Sequence, residues 1–142
     1  MPVLSLQAIE TLCQESLLAV GASEEQAAIV AAEIAEAEAE GIRNVGLGYI
    51  HLYLKHLKVG KVKPNAQPAI VKTSAASTVV DADFGFCHHA YMVGEQRLIE
   101  TAREQGVAML AIHQSSSAGV LGWFVRRLAQ QGLVSLMFAN SS

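Results

Sequence analysis

The sequence predicts an α/β fold of the α+β kind, in which an N-terminal helical segment is followed by a strand–helix–strand portion. Three observations predict it. Apolar residues recur at the ~3.6-residue spacing of a helix through the first part of the chain. Short apolar runs between turn-forming residues follow, and two nearly continuous apolar runs lie in the last third. We place the boundary at residue 62, which gives a helical segment, 1–62, and an α/β segment, 63–142.

Three helices are predicted in the first segment. They span about residues 6–20, 23–40 and 47–58, each with an apolar stripe. Ser5 is a plausible N-cap of the first, while Ser23 and Gln26 fit a capping box at the start of the second. Glycines are placed to end the three helices: Gly21, Gly41 and Gly60.

The second segment alternates strands and helices. Strands are predicted at 69–73, 78–81, 107–112 and 133–138, and helices at about 89–105 and 119–130. The last two strands read as buried on both faces. We therefore expect them to be parallel and to be joined by a right-handed crossover through the last helix.

Composition and charge narrow the class of protein. The chain has 142 residues, of which 51% are apolar, so a domain with a core is expected. A net charge of −3 argues against a nucleic-acid partner. No apolar run approaches the ~18 residues of a membrane span and no signal peptide is visible, so no membrane partner is expected. Cys13 and Cys87 are expected to be buried free thiols in a reducing cytoplasm.

Three places could carry chemistry. The polar turn 114–119 precedes a helix and could bind a phosphate or carboxylate, although its spacing alone favours ordinary helix capping by one serine. His113, beside this turn, could transfer a proton or be structural. Arg43 could bind a carboxylate or be a solvated turn residue. The sequence has no metal-ligand cluster, no glycine-rich dinucleotide fingerprint and no P-loop, so no metal is expected.

The order of several short segments is similar to one known family. The segments that carry the resemblance are 40–47, 53–62, 81–85, 106–108, 119–124, 131–134 and 139–142. Together they resemble the N-terminal part of the type-2 malate/L-lactate dehydrogenase family of NAD(P)-dependent oxidoreductases. That family includes ureidoglycolate and sulfolactate dehydrogenases. The resemblance implies a non-Rossmann fold, which agrees with the missing glycine fingerprint.

The resemblance also implies an activity and a set of site residues. Family members are usually homodimers that use NAD or NADP on a small 2-hydroxy or 2-oxo acid, or on a related imine. It implies that most of the cofactor site follows Ser142, so that this chain is truncated. The site residues it suggests are, for catalysis, Ser117, His113 and Tyr49; for the substrate carboxylate, Arg43 and Asn44; and for the cofactor, Ser116, Gly119, Asn140 and Ser141.

Two departures from the family pattern concern histidines. The family's Ser-His-Gly motif falls on Asn44, Val45 and Gly46, and the arginine that follows it falls on Tyr49. The histidine of its Asn-His-Phe-Gly motif falls on Ser117. A serine hydroxyl is a poor general acid at neutral pH. Two hypotheses follow: an oxidoreductase in which other residues move the proton, or a non-catalytic fragment or degenerate paralogue that acts as a dimerising domain. The sequence does not specify the substrate or choose between NAD and NADP.

Overall fold

Three helices at the start of the chain share one core. In the computed structural model, which describes residues 3–140, α1 spans Leu6–Ala19 and α2 spans Glu24–Ala39. A single 3₁₀ turn, Leu47–Tyr49, leads into α3, Ile50–Lys58. The apolar stripes meet because each is spaced at helical periodicity. Core residues from all three helices include Cys13, Leu17, Val30, Ile34, Tyr53 and Leu57.

The predicted caps are present, with one difference. Ser5 and Ser23 each accept a backbone N–H through the side-chain oxygen, at 3.1 Å from Ala8 and 3.3 Å from Gln26. Gln26 does not complete the capping box. Its amide instead donates to the carbonyl of Pro64 at 2.7 Å, and its oxygen accepts the N–H of Phe86 at 3.0 Å. This buried side chain thereby joins the helical segment to the rest of the chain.

A three-stranded sheet follows, in the order β1–β2–β3. β1 (Ala69–Thr73) and β2 (Ser77–Asp81) form an antiparallel hairpin with an irregularity between Ile70 and Lys72. α4 (Cys87–Gln105) then crosses over to β3 (Met109–His113), which is parallel to β2. α4 packs on the sheet through a small cluster of Val80, Ala82 and Ala90. The predicted α/β class is confirmed, and the parallel pair with its helical crossover is β2–α4–β3.

The predicted strand at 133–138 is wrong. Within the described residues this segment pairs with no strand, so the expected parallel pairing with β3 is absent. Its alternate residues Val134, Leu136 and Phe138 are exposed by 83% or more. The physical reason is that a strand needs a partner for its backbone N–H and C=O groups, and an apolar composition alone supplies none.

The last helix packs against α4 and forms a second hydrophobic core with it. α5 (Leu121–Gln130) buries Trp123, Phe124 and Leu128, whereas Leu121 at its start is 37% exposed. Arg127 forms a bidentate ion pair with Glu95 of α4, at 2.7 and 2.8 Å. The guanidinium also lies 4.9 Å from the centre of the Trp123 ring, so it joins α5 to α4 by charge and by stacking.

Gly85, just before α4, leaves no room for a side chain. A Cβ there would lie 2.5 Å from the Cβ of buried Ala66 and 3.0 Å from the carbonyl oxygen of Ala82. We expect Gly85→Ala to lower the free energy of unfolding by about 1–3 kcal/mol, because the backbone must move. Urea denaturation measures it. Gly122→Ala is the matched control, since its Cβ meets nothing closer than 3.5 Å; equal losses in both variants would contradict the prediction.

Candidate functional site

The polar turn between β3 and α5 is attached to the start of α4. The N–H of Ser116 donates to the carbonyl of Gly85 at 2.9 Å, and the N–H of Cys87 donates to the carbonyl of Ser116 at 3.1 Å. This pair of bonds forms an isolated parallel bridge between Phe86 and Ser116. Cys87 is a buried free thiol, as predicted, and burial raises its pKa to about 11. The turn is therefore fixed by backbone bonds rather than by capping through its serines.

Ser117 stands at the inner side of this turn. Its φ of +48° lies in the left-handed region, which is uncommon for a residue other than glycine. The hydroxyl donates to the phenol oxygen of Tyr53 at 3.3 Å. Tyr53 is fully buried and meets Tyr49 edge-on, with ring centres 5.1 Å apart. Burial raises the pKa of Tyr53 far above its usual value, so the phenol keeps its proton at neutral pH.

Glu33 of α2 lies directly beneath the turn. Its Oε1 accepts the N–H of Val120 at 3.0 Å. A Cβ at Gly119, whose φ is +53°, would lie 2.7 Å from that same oxygen, so only glycine fits against the carboxyl group. The side chain is fully buried. Burial raises the pKa of Glu33 to about 7; the hydrogen bond from Val120 opposes this rise and the charge of Glu36 adds to it.

His88 of α4 faces the free oxygen of Glu33. Its Nε2 lies 3.8 Å from Glu33 Oε2, and neither side chain has any exposed surface. The imidazole stacks on Phe124 with ring centres 5.3 Å apart and meets Trp123 edge-on. Among the described residues, neither nitrogen of His88 nor Glu33 Oε2 has a hydrogen-bond partner. Burial lowers the pKa of His88 to about 4, so the imidazole is neutral at neutral pH.

The structure brings together some of the predicted site residues and separates others. Ser116, Ser117 and Gly119 share the turn, and Tyr49 joins them through Tyr53. The others lie on exposed positions: His113 at the end of β3, Arg43 and Asn44 in the turn before α3, and Asn140. Ser141 lies outside the described residues.

Sequence reasoning missed the three buried polar side chains of this site. Glu33 falls on the buried face of α2, at the helical spacing shared by Gln26, Val30, Glu33 and Ala37. A carboxylate on such a face was the available signal. Tyr53 falls on the apolar stripe of α3, which indicates its burial but not its hydrogen bond with Ser117. His88 lies at the start of α4, and nothing in the sequence indicates that α5 covers it.

Comparison with known proteins identifies the family. A model of the malate/L-lactate dehydrogenase family matches residues 4–142, nearly the whole chain. The chain belongs to the malate/L-lactate dehydrogenase family. This malate/L-lactate dehydrogenase homologue is 37% identical over 139 residues to a (2R)-3-sulfolactate dehydrogenase (NADP(+)) of Chromohalobacter salexigens. It is 34% identical over 135 residues to a Δ¹-pyrroline-2-carboxylate reductase of Ancylobacter novellus.

A solved malate dehydrogenase structure shares the fold of this chain. The malate dehydrogenase of Entamoeba histolytica superposes with a TM-score of 0.85 over 92% of this chain, at 28% identity, and the match covers 37% of that enzyme. The two matches to curated relatives cover 98% and 95% of this chain but only 41% and 40% of those proteins. The malate/L-lactate dehydrogenase homologue described here thus spans about two fifths of the length of the curated relatives it matches.

Two further findings concern metals and membranes. The described part of this malate/L-lactate dehydrogenase homologue holds no group of three or more His, Cys, Asp or Glu side chains suited to a metal ion. Within residues 3–140, none of the helices combines the length and apolar character needed to cross a bilayer.

Proposed function

We propose that the chain is part of an NAD(P)-dependent oxidoreductase that interconverts a small 2-hydroxy acid and its 2-oxo acid, or reduces a related imine. Family membership supports this, as do two relatives named for a hydroxy acid and a cyclic imine. One observation carries the proposal. The turn that corresponds to the family's histidine motif by sequence resemblance is ordered, and the Ser117 hydroxyl in it is hydrogen-bonded to buried Tyr53.

The turn fits a nicotinamide cofactor or an acidic substrate by its backbone. The N–H groups of Ser117, Ala118 and Gly119 make no hydrogen bond among the described residues, and they lie just before the start of α5. Free N–H groups near a helix start attract phosphate and carboxylate oxygens. We assign cofactor contacts to Ser116, Gly119, Asn140 and Ser141.

The residues of this chain would transfer the proton that the reaction requires. A nicotinamide cofactor, when bound, supplies or accepts the hydride. We place the Ser117 hydroxyl beside the substrate oxygen, with Tyr53 as its hydrogen-bond partner, and assign transfer of the proton to Tyr49. We assign the substrate carboxylate to Arg43 and Asn44, and leave His113 as an alternative proton donor.

Partners and location complete the proposal. We propose a cytoplasmic homodimer that binds a small carboxylate, with NAD or NADP as cofactor. The replacement of the family's two histidines by Val45 and Ser117 favours a second candidate, a dimerising domain without catalytic activity. A protein that sediments as a stable dimer and binds neither cofactor would favour that second candidate.

Calorimetric titration with NADH and NADPH tests the proposal on the complete gene product. Binding of either is expected, and absence of both contradicts the enzyme hypothesis. If the Ser117 hydroxyl positions the substrate oxygen for that transfer, Ser117→Ala lowers kcat for 2-oxo acid reduction by about 100-fold. Ser115→Ala, an exposed serine of the same turn, is the matched control and should retain kcat. Equal kcat in the two variants would remove Ser117 from the mechanism.

A further inference from the structure

We propose that Glu33 is the positioning residue of the 116–119 turn, and that His88 completes it by sharing one proton with Glu33. The inference rests on the proposed function, because that turn is where the substrate and cofactor are placed. Glu33 acts through the backbone that carries Ser117, because its carboxyl oxygen accepts the N–H of Val120.

Geometry fixes Glu33 to the turn on one side. Oε1 accepts the N–H of Val120 at 3.0 Å, and both carboxyl oxygens lie within 3.1 Å of the place a Cβ of Gly119 would occupy. The carboxyl group therefore lies flat against the backbone of two consecutive residues. Because Ser117 is two residues before Gly119, a shift of this carboxyl group moves the bond between Ser117 and Tyr53.

The other side of Glu33 faces His88, and three buried polar atoms there have no partner. They are Glu33 Oε2 and both nitrogens of His88. An orphaned polar atom in a buried site is costly, so a proton placed between Oε2 and Nε2 satisfies two of the three at once. The atoms are 3.8 Å apart, so the proposed hydrogen bond requires the two side chains to approach each other by about 1 Å.

The charges around this pair favour its neutral form. Glu36 of α2 adds a second negative charge near Glu33, and Tyr53 of α3 is a neutral phenol. The turn contributes the N–H of Val120, and α5 contributes aromatic rings around His88 and, at the surface, Arg126 paired with Glu36. Burial raises the pKa of Glu33 to about 7 and lowers that of His88 to about 4. A carboxylic acid donating to a neutral imidazole is the arrangement consistent with both directions.

Ionisation of the pair has a consequence for the site. Loss of the shared proton leaves a buried carboxylate directly below N–H groups that would otherwise attract an anionic ligand. In surroundings of low dielectric constant this charge repels a carboxylate or phosphate more strongly than it would in water. The turn is therefore expected to bind acidic ligands best below pH 7, and less tightly as Glu33 ionises.

The proton itself is tested by NMR on the 142-residue chain. We expect the Glu33 carboxyl carbon to titrate near pH 7, and the amide of Val120 to follow with the same midpoint. In His88→Phe, which keeps an aromatic ring against Phe124, the midpoint should change. A Glu33 carboxyl that titrates near its ordinary value of 4.5 would overturn the pair, as would a midpoint unaffected by His88→Phe.

The positioning role is tested on the complete protein by comparing three variants. Glu33→Gln keeps an acceptor for Val120 and gives His88 a permanent donor. We therefore expect its KM for the 2-oxo acid to stay flat with pH, while that of the parent rises about tenfold above pH 7. Glu33→Ala removes the support and raises KM at every pH. Glu24→Gln, at the exposed start of the same helix, should keep the parent profile.

The outcomes separate this inference from the function on which it rests. Identical pH profiles for the parent and Glu33→Gln, or a normal KM in Glu33→Ala, would overturn the positioning role while leaving the oxidoreductase intact. A complete protein that binds neither cofactor would defeat the proposed function. The NMR titration then still decides whether Glu33 and His88 share a proton beneath the turn.

Discussion

Replacing Phe124 by alanine is expected to lower the free energy of unfolding by about 3–5 kcal/mol. The ring is 1% exposed, stacks on His88 and meets Tyr91 and Trp123 edge-on with centres 4.9 and 5.0 Å away. Its removal opens a cavity between α4 and α5 and exposes one face of a buried imidazole. The loss combines the transfer of a large apolar ring with incomplete collapse around the gap.

Chemical denaturation at constant pH measures the effect, and the chain offers a matched control. Phe84 is 58% exposed in the turn before α4, so Phe84→Ala should cost less than about 1 kcal/mol. Near-equal losses in the two variants would mean that the aromatic cluster around Trp123 does not hold α5 in place. Retention of the α5 helix in Phe124→Ala is checked by amide exchange of its backbone.

The second large effect is an opposite pH dependence of stability in two single variants. Glu33→Gln leaves His88 as the buried ionisable group, and His88→Gln leaves Glu33. Each remaining group is expected to change the free energy of unfolding by about 3 kcal/mol across its own titration range, since one pKa unit corresponds to about 1.4 kcal/mol.

The sign differs because the two pKa values move in opposite directions. The pKa of Glu33 is raised from 4.5 to about 7, so its contribution is fully present below pH 4.5 and is lost as pH rises through 7. The pKa of His88 is lowered from 6.5 to about 4, so its contribution is present above pH 6.5 and is lost as pH falls through 4. In the parent protein the two trends oppose each other between pH 4.5 and 6.5.

Urea denaturation across this pH range measures the free energy of unfolding of the parent protein and of the two variants. Stability should rise with pH in Glu33→Gln, fall with pH in His88→Gln and change little in the parent. Groups outside the pair, such as His56 and His89, whose pKa values are also lowered by burial, contribute equally to each protein and cancel in the differences. Parallel curves for the two variants would show that neither group is desolvated in the folded protein.

Local sequence signals predicted most of the regular structure. Helical spacing and stop glycines located the five α-helices of residues 3–140 to within about two residues at most ends, because those signals act through neighbours in sequence. The segment 133–138 was different. Its apolar residues are as expected for a strand, but strand formation depends on a partner edge, and composition does not encode where that edge is.

The candidate site was only partly predictable for a related reason. The resemblance located the turn of Ser117 and Gly119, but the side chains that support it come from α2, α3 and α4. Glu33 and Glu36 show the difficulty: they are the same residue type on the same helix, yet one is fully buried and the other pairs with Arg126 at the surface. Only the packing of distant elements distinguishes them.

The two buried cysteines can serve as internal probes of local opening of the fold. Burial raises the pKa of both thiols to about 11, so reagents specific for the thiolate react only with molecules that have transiently opened. Cys13 lies in the core of the first three helices, whereas Cys87 lies next to His88 and bonds to the turn through its N–H. The ratio of their alkylation rates therefore compares how often the site opens transiently with how often the helical core does, without any introduced label.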